Sequence, residues 1–65
     1  MQRSNLTEQG FEIRAERIRL LKDDRERTWG AVEMFLRKRD PHGVIDMLME
    51  IQIIDRSISE LEALG

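Results

Sequence analysis

Arg37-Lys38-Arg39-Asp40-Pro41-His42-Gly43 decides the fold of this 65-residue chain. Pro41 is its only proline. Proline lacks an N–H and its ring collides with the preceding helical turn, so no helix runs through it. It suits the first helical position, after an Asp whose side chain caps the free N–H groups. The three basic residues before Asp40 stand where the negative end of a helix dipole favours positive charge. One helix therefore ends and another begins here, with almost no loop between them. The chain reads as an all-α antiparallel two-helix hairpin.

Outward from the turn, the composition is that of helices: Gly and Pro are scarce, Tyr is absent, and Glu, Arg, Leu and Ile dominate. Helix 1 is expected from about residue 6 to about residue 39, the turn at 39–41, and helix 2 from about 41 to about 64. Residues 1–4 are expected to fray. Asn5 or Thr7 can cap helix 1, and Asn5 with Glu8 has capping-box spacing. No repeat or low-complexity segment divides the chain, so residues 1–65 form one domain.

The apolar stripe expected on helix 1 is Phe11, Ala15, Ile18, Leu21, Trp29, Val32, Phe35 and Leu36. On helix 2 the main stripe is Val44, Met47, Leu48, Ile51, Ile54, Ile58 and Leu61. Ile45, Met49 and Ile53 form a second stripe on another side of the same helix. A helix apolar on several sides is buried on several sides, which one neighbouring helix cannot achieve. Gly30 costs about 1 kcal/mol relative to Ala inside a helix. It marks either a kink or a close approach beside Trp29; a continuous helix is the expectation.

A tight turn at residue 40 sets the register, because facing positions then sum to about 80. Leu36 is expected to face Val44, Val32 to face Leu48, and Trp29 to face Ile51. The same count brings Ile18 near Leu61 and Glu62, and Leu21 and Lys22 near Ile58. It also pairs Arg25 with Asp55, two charges that interrupt their stripes at one level. Together they form a structural ion pair that fixes register and is otherwise neutral for stability. Helix 1 outruns helix 2 by roughly ten residues, about 15 Å. Phe11 and Ile13 lie in that overhang and call for a cover from outside the hairpin.

Sixty-five residues make a small core that usually needs a staple. With no cysteine, disulfides and thiolate metal sites are excluded. Oligomerisation is the staple that remains, and the expected architecture is a dimer of hairpins forming a four-helix bundle. The expected interface is Phe11, Ile13, Trp29, Ile45, Met49 and Ile53. Residues 1–39 carry ten Lys/Arg against seven Asp/Glu, a balance of +3. Residues 40–65 carry one Arg against six Asp/Glu, a balance of −5. Opposite halves attract within a hairpin or between hairpins.

No arrangement for catalysis is apparent. His42 is the only histidine, and no Ser stands near a base. The acidic residues Asp23, Asp24 and Glu26 are better matched to Arg27 and Lys22 as salt bridges than to a metal ion. No phosphate-binding glycine loop or zinc spacing occurs. The expectation is no catalytic, cofactor or metal residue. No apolar run reaches the roughly 20 residues that span a bilayer. No secretory h-region follows Met1, and with the missing cysteines this fits a cytoplasmic protein without a membrane partner.

The first functional expectation is a non-enzymatic adaptor, regulator or co-chaperone that binds itself and another protein. The second is an RNA- or DNA-binding bundle using Arg14, Arg17, Arg19, Lys22, Arg25 and Arg27, with Arg37-Lys38-Arg39 as the densest basic run. In length and architecture the chain resembles the plasmid RNA-binding hairpin family and the small helical co-chaperones of secretion systems, without a shared motif. The third expectation rests on Gln52-Ile53-Ile54-Asp55-Arg56. This segment resembles the Ser-Gln-x-Leu-Asp segment of sporulation aspartyl-phosphate phosphatases, with Ile51 in place of the serine. The resemblance implies a phosphatase acting on a response-regulator aspartate.

Overall fold

The computed structural model describes residues 8–64, and it is a hairpin of two packed helices. Helix α1 runs Glu8–Arg37 and helix α2 runs Pro41–Ala63. The expected caps at Asn5 and Thr7, the frayed start and the Gly65 terminus lie outside the described residues. Helix α1 passes through Gly30 without a break.

The turn is built from two interlocking caps. Arg39 adopts the left-handed conformation, φ 56°. Its N–H donates to Leu36 O at 3.0 Å, and the Asp40 N–H reaches back to Phe35 O at 2.9 Å. That pair of bonds closes the last turn of α1 as a Schellman motif. Asp40 then turns extended, as a residue before proline must. Its Oδ1 accepts from the Gly43 N–H at 3.1 Å, and its carbonyl accepts from Val44 N–H. Asp40 thus closes one helix and opens the next. Helix α1 ends two residues earlier than expected because Arg39 leaves the right-handed region.

Phe35 packs directly against Gly43 across the turn. A Cβ at residue 43 would stand 2.6 Å from Phe35 Cγ and 2.7 Å from Cε1, and closer still to Cδ1. Bare backbone at 43 lets the ring fill the space between the helices. Beyond this contact the core is narrow. Val32, Ile51, Ile54 and Ile58 are its buried apolar side chains, and Thr28 is buried with them. Ile18, Leu21, Phe35, Val44, Met47 and Leu61 line it half-buried.

Three expected core contacts are corrected by this packing. Trp29 and Leu36 do not face α2; they are 44% and 58% exposed. The inward line of α1 is Leu21, Arg25, Thr28, Val32 and Phe35, with the alternating spacing of three and four that keeps a helix seam on one side. Trp29 and Leu36 each lie one residue, about 100°, beyond a member of that line. Thr28 occupies the level expected for Trp29. Its hydroxyl donates to Asp24 O at 2.8 Å, which satisfies its polar atom inside the seam. Leu48, expected opposite Val32, lies on the rim at 38% exposed.

Candidate interaction surface

The six side chains expected at an interface are all exposed, between 43% and 59%. They do not form one patch. Ile45, Met49 and Ile53 follow one another at four-residue steps and run along α2 away from α1. Trp29 is on the flank of α1 that carries Leu36, seven residues on. Phe11 lies on that flank as well, five turns towards the N-terminus. Ile13 is on the opposite flank, where it shares an open groove with Arg17, Leu20, Asp24 and Arg27.

Leu20, Met34 and Leu64, which the stripes do not include, are also exposed, together with Leu36 and Leu48, which the stripes place inward. The signal for two of them was a seven-residue spacing: Trp29–Leu36 on α1 and Pro41–Leu48 on α2. These two lines meet at the turn, where Leu36, Pro41, Val44 and Ile45 border one shallow apolar pocket. Eleven large apolar side chains are therefore exposed among the described residues, against four that are buried.

Charged groups complete the surface. Arg25 Nη1 donates to Asp55 Oδ1 at 2.7 Å, and Lys22 Nζ lies 3.9 Å from Glu62 Oε2. Both bridges join α1 to α2. Within α1, Arg19 binds Glu16 at 2.6 Å and Asp23 at 3.3 Å, while Arg27 lies 3.6 Å from Asp24. The Arg19 hydrogen bond, and then its charge, hold the Glu16 carboxyl below its ordinary pKa. Four of the six cations named along the body of α1, Arg19, Lys22, Arg25 and Arg27, are thus matched by carboxylates. At about 100° per residue they also spread around α1 rather than along one face.

Arg14 is placed differently. Its guanidinium stacks over the Phe11 ring, 5.1 Å from the centroid, a cation–π arrangement. Its Nη1 is shielded from solvent and has no hydrogen-bond partner. Arg14 therefore supplies part of the cover that the overhanging Phe11 needs.

No group of three or more metal-ligating side chains occurs among the described residues. His42 is exposed beside Asp46, 3.5 Å away. Asp55, the aspartate of the phosphatase-like segment, is held by Arg25. No helix among the described residues is long and apolar enough to cross a membrane. No protein-family model, curated protein or solved structure matches this chain.

Proposed function

We propose that this chain is a non-enzymatic helical-hairpin protein that self-associates into a four-helix bundle and acts by protein–protein binding, as a small adaptor, regulator or co-chaperone. The observation that carries this reading is the imbalance between four buried and eleven exposed large apolar side chains. Exposed apolar patches of this kind mark interfaces. A single core in a chain of this size supplies little stability without a staple, and the chain has no cysteine. A second hairpin provides that staple. The stripe Ile45–Met49–Ile53 has the four-residue spacing by which an amphipathic helix enters a partner's groove.

Sedimentation equilibrium on the purified full chain tests the proposal. The expected mass is twice the 7.7 kDa of the chain. A stable monomer at micromolar concentration overturns it.

Nucleic-acid binding is the second reading. It is favoured by Arg37, Lys38 and Arg39, which are exposed and lie within 4 Å of no carboxylate among the described residues. Affinity for RNA or DNA that falls steeply with salt supports it. Affinity that salt does not change removes it.

A further inference from the structure

We infer that two copies of this chain pack face to face with their turns at the same end, α1 of each lying across α2 of the other. This rests on the self-association proposed above and adds the face and the arrangement. The face is given by two lines at seven-residue spacing. On α1 it is Lys22, Trp29 and Leu36. On α2 it is Pro41, Leu48, Asp55 and Glu62. They lie on one side of the hairpin. Leu36, Pro41 and Ile45 share a pocket at the turn, and Lys22 reaches Glu62 at the other end. Both lines are apolar near the turn and charged towards the open end.

Two symmetric arrangements bring this face onto itself. A two-fold axis perpendicular to the helices places the turns at opposite ends, with α1 over α1 and α2 over α2. Leu48 and Pro41 would then be pressed against the partner's Asp55 and Glu62, and carboxylates would lose water to apolar neighbours without compensation. The acidic halves of the two chains would also lie together, each −5 over residues 40–65. An axis parallel to the helices places the turns together and crosses α1 over α2. Trp29 and Leu36 then lie on the partner's Leu48 and Pro41. Lys22 and Arg25 lie near the partner's Glu62 and Asp55. Residues 1–39, at +3, face residues 40–65, at −5. Apolar groups meet apolar groups and opposite charges meet, at every level of the face.

The chain has no cysteine, so one introduced thiol reports the arrangement without a background signal. A nitroxide is attached to the His42→Cys variant, at an exposed site beside the turn, and the distance between labels is measured by pulsed electron resonance after the mass is confirmed by sedimentation. With turns together the labels lie about 20–30 Å apart, two helix diameters. With turns opposed, residue 42 stands level with the partner's residue 61, about 29 Å away along the axis, and the labels lie about 35 Å apart or more. A dimer with the long distance overturns this arrangement and leaves self-association standing. A monomer overturns both. On the unlabelled chain, Leu48→Asp weakens the dimer by about 30-fold or more, while Met34→Asp and Leu20→Asp, on other faces, leave its mass unchanged. Dissociation by Leu20→Asp together with an intact Leu48→Asp dimer also overturns the assignment.

Discussion

Two glycines in similar helical settings carry opposite consequences for substitution. Around Gly30 a Cβ would meet nothing within 4 Å. Gly30→Ala should therefore stabilise the chain by about 1 kcal/mol, the ordinary helix-propensity gain. At Gly43 the same methyl group drives into the Phe35 ring. Overpacking costs typically about 1–3 kcal/mol and outweighs the propensity gain, so Gly43→Ala should be net destabilising. Urea midpoints of the two variants check both signs. A destabilising Gly30→Ala would show that another helix approaches the backbone at Gly30 itself. Arg39 offers the converse case, a side chain where glycine is preferred. Its φ of 56° costs roughly 1 kcal/mol or more for a residue with a Cβ. Arg39→Gly should raise the urea midpoint, and an unchanged or lowered midpoint would mean that the Arg39 side chain compensates for its backbone.

At the scale of elements, Asp40-Pro41 marks the start of α2 to the residue, because proline and a capping carboxylate each have one suitable place at a helix start. The end of α1 was less legible: Arg39 takes the left-handed position without the glycine that usually signals it. The inward face of α1 was misread at Trp29 and Leu36 because hydrophobicity drew the stripe onto the largest side chains. The spacing of Leu21, Arg25, Thr28, Val32 and Phe35 drew it correctly, but two of those five residues are polar or charged. Arg25 and Asp55 meet on the edge of this seam, 31% and 52% exposed in their side chains. In a lone hairpin water at the rim screens such a pair and holds its coupling to about 0.2–1 kcal/mol, whereas beneath the second hairpin proposed above the pair is desolvated and the coupling should be several times larger. A double-mutant cycle with Arg25→Met and Asp55→Leu measures it. A coupling within the exposed range would show that no second hairpin covers the pair.

The whole molecule is two helices in cross-section, with Cα extents of 14 × 9 Å across the long axis. No side chain in such a rod is far from solvent, which is why even the best-buried core residues, Val32, Ile54 and Ile58, retain 4% exposure. The exposed stripes could be located in the sequence, but their covering could not, since one chain's pattern describes a surface and not what rests on it. The charge balance of +3 and −5 between the two halves narrows that choice, because it favours contact between unlike helices. If folding and association are one event, the stability of the chain depends on its concentration. For two chains unfolding together, a tenfold dilution lowers stability by about 1.4 kcal/mol of dimer. With the entropy of unfolding typical of about 130 residues, that lowers the thermal midpoint by about 5 °C. Circular dichroism melts over a hundredfold range of concentration should therefore shift by about 10 °C. A midpoint independent of concentration would show that the hairpin holds itself together, and that its four buried side chains with the Schellman and Asp40 caps are sufficient.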